Sequence, residues 1–372
     1  MRLNLPTFIL IIYFLIIIIS EFVYPGARKL VYTLPVLGLV SILKYRKLYF
    51  DRVLSTIVFL IGINTFAFLI YFMHQNQNSY AFIISLKEYI FICSPVIMMY
   101  IFYRYVNTVE FDKVLKIFTI TFVILYLITN FAYVLSLFGG LSNFLLTSLS
   151  ELESTYGLVY GIFPLYYFIN KNRVMLLISL PLVFIGSKRV AILAVLISLF
   201  VYKIASTFRI KKKYFKFIAV IVNIFVYVII LNYLNGNIAS LINNFSDINI
   251  NVLFNNRFYV WKVVVDNLNI HPITGNGIGV ISSFLRSGSM INDSHYTLLH
   301  SDLIKIYLEF GYLMGSLFIY YLYSFVDVNI KILPILVYFN VLFLTDNSLI
   351  YVHVTIMIFL IISRLLKEEK NE

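Results

Sequence analysis

Three of the five histidines fall within residues 271–300, and the single tryptophan, Trp261, lies just before them. These histidines are His271, His295 and His300. A neutral imidazole accepts a proton from a hydroxyl group near neutral pH, so a histidine in this stretch is a candidate general base. His300 is the best candidate because it opens an apolar run and should lie at the mouth of a helix bundle. The alternative is that polar residues collect wherever the chain leaves an apolar environment.

Two adjacent cations, Lys188 and Arg189, follow an apolar run that begins at Val174. A helix from Val174 to Gly186 covers roughly 20 Å of a hydrocarbon core roughly 30 Å thick, so both cations should be recessed in it. Charges at that depth usually face a partner or a wet cavity, which favours an anionic ligand. Snorkelling of the two side chains to the outer interface is the alternative.

A short helix is predicted in the polar stretch before the histidines. Asn255 or Asn256 could cap it, and it should run to about Asn269. Arg257 and Trp261 share one face of this helix because they are four residues apart.

Arg257 is the third candidate. Its planar guanidinium suits bidentate contact with phosphate oxygens, so Arg189 and Arg257 together could clamp a diphosphate. The alternative is a solvated surface charge. Trp261 could stack on a sugar ring or pack the helix onto the rest of the protein.

Asp302, Lys305 and Glu309 follow His300 on one helix face. An ion-pair ladder along this face is one interpretation, and binding of substrate by Asp302, together with His295, is the other.

Metal and nucleotide sites have no signature in the sequence. No DxD and no paired histidine spacing indicates a metal ligand set. Gly275, Gly277 and Gly279 lack the strand, turn and helix context of a dinucleotide fingerprint, and there is no P-loop. Cys93 is the only cysteine and lies in an apolar run, so it is interpreted as packing. We therefore predict no cofactor.

The composition indicates which elements position these residues. Hydrophobic residues make up 61% of the chain and charged residues 12%, whereas soluble domains have roughly 25% charged residues. Long apolar runs without β-barrel alternation predict an all-α polytopic membrane protein. The twelve predicted spans begin near Leu5, Leu30, Val53, Tyr80, Val114, Thr155, Val174, Val190, Phe217, His300, Ile332 and Ser348.

Clusters of Lys and Arg follow the second, fourth, sixth, eighth and twelfth predicted spans. The positive-inside rule places these clusters and both termini in the cytoplasm, and it explains the net charge of +12 better than nucleic acid binding does. Arg28 and Lys29 are an exception, a basic pair in a predicted outer loop. We predict spans one to nine over 1–234, a large outer loop with a short amphipathic helix over 235–299, and spans ten to twelve with a cytoplasmic C-terminus over 300–372.

Three segments of the sequence form a recognisable pattern. They are Gly186-Ser187-Lys188-Arg189; Asn256-Arg257 with Trp261, His271-Pro272 and Gly275 to Gly279; and His300-Ser301-Asp302-Leu303 leading to Glu309-Phe310-Gly311 and Gly315. In order and in span layout they resemble the O-antigen polymerase (Wzy) family, within the wider group that includes the O-antigen ligases.

The resemblance implies a metal-independent glycosyltransferase of the GT-C type at the outer face of the bacterial inner (cytoplasmic) membrane. Such polymerases transfer a growing glycan from an undecaprenyl diphosphate carrier to the next lipid-linked repeat unit. By this resemblance Arg189 and Arg257 would hold the diphosphate, and His300 would act as base or orient the acceptor hydroxyl. Lys188 departs from the small or polar residue of many relatives, which leaves its role open. The implied partners are undecaprenyl-diphosphate-linked oligosaccharides, membrane lipid and a chain-length regulator, without nucleic acid.

Two other functions stay open. A ligase of the same fold would attach finished glycan to a lipid A core. A flippase or transporter, which belongs to a different class, commonly has charges at mid-membrane and inverted repeats. The charged candidates here lie towards one side, and the sequence shows no repeat.

Overall fold

The computed structural model describes residues 4–45, 50–74, 79–129, 156–185, 189–236, 257–287 and 299–368. Most of these residues are helical, and no β-strand occurs among them. The α-helices are α1 Leu5–Phe22, α2 Leu34–Tyr45, α3 Arg52–His74, α4 Ser79–Tyr105, α5 Thr108–Thr129, α6 Gly157–Tyr160, α7 Ile162–Ile169, α8 Arg173–Ile185, α9 Arg189–Thr207, α10 Phe215–Leu234, α11 Arg257–Asn267, α12 Val280–Arg286, α13 Asp302–Tyr323, α14 Phe325–Val328, α15 Leu333–Thr345 and α16 Val352–Glu368.

Six helices of the described chain are long and apolar enough to cross a membrane. They are α1, α3, α4, α9, α10 and α13. Shorter apolar helices include α8 and α15. The protein is therefore a multi-pass membrane protein, as predicted, while the count of twelve spans stays a prediction. The second predicted span starts later than expected, because a 3₁₀ helix over Pro25–Thr33 precedes α2.

The core of the bundle is built around α16, whose side chains from Val352 to Ser363 are all buried. This helix packs along α4, while α15 packs along α9 and α10 along α13. Most side chains of α15 are buried as well, so both α15 and α16 lie in the interior of the bundle.

Ion pairs join the helices at one end of the bundle, which we call the basic end. The pairs are Arg104–Asp51, Lys216–Asp327 and Arg364–Asp112, each at 2.7 Å, and Lys331–Glu368 at 2.9 Å. Asn4 also donates to the carbonyl of Tyr105, 3.2 Å away. The first and last residues that the structure describes therefore lie at the basic end, where the predicted cytoplasmic clusters of Lys and Arg are found. The side of the membrane on which the basic end lies stays a prediction.

Helix α13 is broken at Gly311, whose φ of 73° and ψ of 174° are not helical. The break exposes backbone groups that the helix would otherwise pair. The amide of Asn276 donates to the carbonyl of Leu308 at 3.0 Å, and the amide of Tyr312 donates to the carbonyl of Pro272 at 2.7 Å. Polar backbone groups in a water-poor interior need such partners, so a segment of the predicted outer loop completes the hydrogen bonding of α13.

This segment, residues 271–279, is called the glycine segment below. Gly275 has a φ of 76°, and a Cβ there would lie 2.2 Å from the carbonyl oxygen of Glu309. Gly277 has a φ of 94°, and a Cβ there would lie 2.4 Å from the Cα of Tyr71. Glycine is required at both positions because the backbone is left-handed and the neighbouring backbone is too close for any side chain.

We predict that Gly311→Ala destabilises the protein. A Cβ at this position would lie 2.3 Å from the carbonyl oxygen of Ile273. The strained φ alone should cost about 1–3 kcal/mol. The thermal midpoint of the detergent-purified protein measures the effect.

The matched control is Gly62→Ala in α3, where a new Cβ would meet no atom within 4 Å. This exchange should be neutral or stabilising by about 0.5–1 kcal/mol. Equal midpoints for the two variants would contradict the role given to the break in α13.

Candidate functional site

A buried ion pair joins α4, α12 and α13. The Nζ of Lys305 lies 2.6 Å from Glu88 Oε2 and 3.3 Å from Ser282 Oγ. The side chains of the two charged residues are only 5% and 7% exposed. A pair so deeply buried is tolerated when both charges are matched and hydrogen-bonded. The pair runs between helices, so the ion-pair ladder considered along α13 is not the arrangement that the structure shows.

Glu309 makes the second attachment of α12. Its Oε1 accepts hydrogen bonds from the amides of Gly279, at 3.0 Å, and Ile281, at 3.2 Å. These amides belong to the beginning of α12, where helical N–H groups have no partner within the helix. The glycine segment and α12 are therefore fixed to the bundle from both sides.

Asp302 lies in the first turn of α13 and is fully buried. Its Oδ2 accepts from the hydroxyl of Ser348 and from the amide of Leu349, each at 2.7 Å. Both donors belong to the non-helical connection between α15 and α16, residues 346–351, which we call the site loop. Asp302 therefore shapes the site loop, and its contact with substrate stays a prediction.

His300 lies immediately before the N-cap of α13. Its φ of 54° is left-handed, a region in which histidine is enriched among non-glycine residues. The next residue, Ser301, caps the helix by accepting from the amide of Ile304. His300 Nδ1 lies 3.8 Å from Asp346 Oδ1, and the two side chains are 37% and 6% exposed. A partly exposed imidazole thus stands beside a buried carboxylate of the site loop.

Arg257 reaches the same loop from the other direction. It is the first residue of α11 and is half-buried, and its Nη1 donates to the carbonyl oxygen of Thr345. Thr345 is the last residue of α15, and a cation interacts favourably with the carbonyl groups at the C-terminus of a helix. The structure therefore brings Arg257, His300 and Asp302 together around the site loop.

Trp261 is enclosed, with 2% of its surface exposed. Its Nε1 donates to the carbonyl oxygen of Leu299 at 2.6 Å, and its ring lies 4.7 Å from that of Phe258. The indole thus holds α11 against the residue that precedes His300. The structure gives Trp261 a packing role, and contact with a sugar stays a prediction.

Tyr351 is the last residue of the site loop, and the pKa of its hydroxyl group depends on the charges around the loop. Burial raises the pKa of its hydroxyl, and Asp346 and Asp302 raise that pKa further. Arg257 and Arg28 lower the same pKa. Arg28 is therefore within electrostatic reach of the site loop, so the basic pair that is an exception to the positive-inside pattern lies at the end of the bundle that carries the site.

Arg189 is the first residue of α9, and α8 before it spans 13 residues, as short as the sequence predicts. The side chain of Arg189 lies outside the described part of the chain, as do Lys188 and His295. The meeting of Arg189 with Arg257 therefore stays a prediction.

The site loop is not among the candidate site residues predicted from the sequence. Asp346 is 4% exposed, and it approaches His300 as described above. The pKa of Tyr351 is raised by Asp346 and Asp302 and lowered by Arg257 and Arg28, so Tyr351 lies among the charges of the site. The signal available in the sequence was the polar stretch Thr345-Asp346-Asn347-Ser348, which separates two apolar runs and is too polar for a simple turn inside lipid.

These groups have a defined chemical capacity. A guanidinium fixed by one hydrogen bond retains further N–H donors for the oxygens of an anion. An imidazole beside a carboxylate can accept a proton from a hydroxyl group. The site loop thus brings together, at one end of the bundle, a group able to bind an anion and a group able to accept a proton.

Residues 174–319 match a family model described as O-antigen ligase. This region begins in α8 and ends in α13, and it includes Arg189, Arg257 and His300. No curated protein and no solved structure matches the chain.

We predict that Lys305→Met destabilises the protein by about 3–5 kcal/mol, because it leaves Glu88 buried without its counter-charge. The double variant Glu88→Gln/Lys305→Met should recover part of that stability, because Glu88 then carries no charge, whereas the buried carboxyl group of Glu309 still loses the nearby charge of Lys305. Thermal midpoints of the two variants in detergent test the difference.

The control is Lys262→Met. Lys262 pairs with Asp266 on α11 at 3.2 Å, with side chains 53% and 47% exposed, and it also donates to the carbonyl oxygen of Leu234 at 3.2 Å. Such exposed helix pairs contribute only about 0.3–0.5 kcal/mol. If Lys305→Met is as mild as this control, the buried pair does not attach α12 to the bundle.

Proposed function

We propose, from the premise that residues 174–319 are a segment of the O-antigen ligase and polymerase superfamily, that this membrane protein is a polymerase of lipid-linked glycan. It joins oligosaccharide repeat units carried on undecaprenyl diphosphate into O-antigen or a similar surface polysaccharide. The reaction takes place at the outer face of the bacterial inner membrane. The proposed fold is of GT-C type and has twelve spans, with both termini in the cytoplasm.

The observation that carries the proposal is the convergence of Arg257 and His300 on the site loop. The donor's leaving group is a lipid diphosphate, so stabilising its developing negative charge is the main catalytic task. Fixed guanidinium groups in a recessed site perform that task. Arg257 is fixed by the carbonyl of Thr345, and we assign Arg189 as the second guanidinium.

His300 supplies the other half of the chemistry in this proposal. The acceptor sugar hydroxyl must lose a proton as it attacks the anomeric carbon of the donor, and the imidazole accepts that proton. Asp346, whose Oδ1 lies 3.8 Å from Nδ1 of His300, stabilises the imidazolium by its charge. Holding donor and acceptor together in this geometry contributes further to the rate.

The membrane bundle suits substrates of this kind because both carry long lipid tails. Lipid-linked oligosaccharides are therefore the proposed partners, and a chain-length regulator is a further partner. Lys188, His295 and Asp302 are proposed to contact the sugar or the diphosphate.

The second candidate is a ligase that transfers finished glycan to a lipid A core. The description of the matched family favours it, whereas His300-Ser301-Asp302 resembles the polymerase form of the motif. A strain that lacks the protein distinguishes the two functions. Single repeat units alone indicate a polymerase, and polymer that accumulates on its carrier indicates a ligase.

We predict that Arg189→Ala, Arg257→Ala and His300→Ala each abolish long-chain polymer and leave single repeat units. Loss of the proton acceptor should cost roughly 10²–10⁴-fold in rate, and loss of a charge-stabilising donor roughly 10²–10³-fold. Electrophoresis of the glycan, at matched membrane levels of each variant, measures the outcome.

Lys262→Ala is the control for this series. Lys262 lies on α11 with Arg257, but its contacts are Asp266 and the carbonyl oxygen of Leu234, neither of which belongs to the site loop. This variant should make full-length polymer. If the three site variants also make full-length polymer, the assignment of the site is wrong.

We also predict that Asp346→Asn lowers kcat more than it raises KM for lipid-linked substrate, because the charge of Asp346 stabilises protonated His300 and Asp346 does not bind the glycan. Steady-state assays with purified lipid-linked units separate the two constants. Asp266→Asn on the exposed face of α11 is the control. A raised KM with unchanged kcat would mean that Asp346 contributes uniform substrate binding instead.

A further inference from the structure

Two cavities lie side by side at the basic end of the bundle, opposite the end that carries the site loop. Their volumes are about 670 Å³ and about 440 Å³. The residues that line both are Tyr167, Ile169, Lys171 and Tyr202. Because they share this wall, the two cavities form one continuous groove, which we call the basal groove.

The larger half of the basal groove has unbalanced positive charge. Both carboxylates in its wall, Asp112 and Glu368, are already paired with cations. Lys116 and Lys171 also line it, and no ion pair or side-chain hydrogen bond joins either of them to any residue that the structure describes. The side-chain amide nitrogen of Asn170, in the same wall, is buried without an acceptor. This half therefore presents donors and positive charge that an anion would satisfy.

The smaller half combines an apolar floor with a basic rim. Phe168, which is 43% exposed, and Leu176 supply apolar surface. Arg173 and Lys203 line the same cavity, and no carboxylate does so among the described residues. A hydrocarbon chain beside an anionic group fits this combination of surfaces.

We propose that the basal groove binds an anionic glycerophospholipid of the adjoining bilayer leaflet. Its phosphate is held by Lys116, Lys171 and the amide of Asn170, and an acyl chain lies along Phe168 and Leu176. Basic pockets between membrane helices on the cytoplasmic side are binding sites for anionic headgroups. Lysines that only snorkel to water need no cavity behind them, whereas these line one of about 670 Å³.

The apolar half of the groove decides between two sources of the same phosphate chemistry. Free phosphate would use only the larger cavity and would leave the apolar floor uncovered. A lipid covers both halves. The inference concerns the opposite end of the bundle from the site loop, and it does not rest on the glycosyl transfer proposed above.

The test is a titration of the detergent-purified protein with short-chain phosphatidylglycerol and, in parallel, with phosphatidylcholine. Native mass spectrometry counts the bound lipid. Phosphatidylglycerol should bind at lower concentration than phosphatidylcholine. Lys116→Gln/Lys171→Gln should weaken its binding roughly 30-fold, because a basic residue near an anionic membrane surface contributes roughly fivefold. Lys116→Arg/Lys171→Arg should keep the binding.

Lys113→Gln/Lys211→Gln is the matched control. Both residues are exposed cations of the same part of the chain, and neither lines the groove. Equal losses in the control and groove variants would overturn the proposal, since binding would then follow surface charge alone. Unchanged phosphatidylglycerol binding by the groove variant would also overturn it. A third arm uses inorganic phosphate, and competition by phosphate as strong as that by the lipid would overturn the assignment to lipid.

Discussion

The break in α13 at Gly311 is the constraint on which the site depends. A membrane helix that stops its hydrogen bonding within the bundle must find other partners for the freed groups. The glycine segment provides them, because Asn276 and Gly277 donate to the carbonyls of Leu308 and Glu309. A stretch of the polar loop is thereby forced against α13, and α11 and α12 on either side of it come to the same end of the bundle.

Buried charged side chains also hold α13 in place, in addition to the backbone hydrogen bonds of the glycine segment. Lys305 and Glu88 are separated by 217 residues in the chain, yet they meet at 2.6 Å. Glu309 holds the start of α12 one turn further along α13. Both contacts border a small cavity that Leu349 and Ile350 of the site loop also line. They act by fixing α13 in position, and the first turn of α13 carries Asp302, which holds the site loop through two hydrogen bonds.

Local features of the site could be predicted from sequence, and long-range ones could not. Four-residue spacing indicated a helix with Arg257 and Trp261 on one face, and α11 runs Arg257–Asn267. The position of His300 before an apolar run placed it at the mouth of a helix, and it lies just before the N-cap of α13. Spacing within one helix says nothing about partners on other helices. For that reason the partner of Lys305, the site loop and the proximity of Arg28 to it appeared only in three dimensions.

The same physical criterion separates the arginines at the two ends of the bundle. At the basic end, Arg364 faces Asp112 through two hydrogen bonds, so its charge is neutralised and its role is to hold α16 to α5. Arg257 instead donates to a carbonyl, a dipole that fixes the guanidinium without cancelling its charge, and no ion pair to it occurs among the described residues. An arginine held in this way is positioned yet still able to attract an anion. This criterion supports the proposal that Arg257 is a binding group, whereas Arg364 is structural, a difference that the sequence alone does not show.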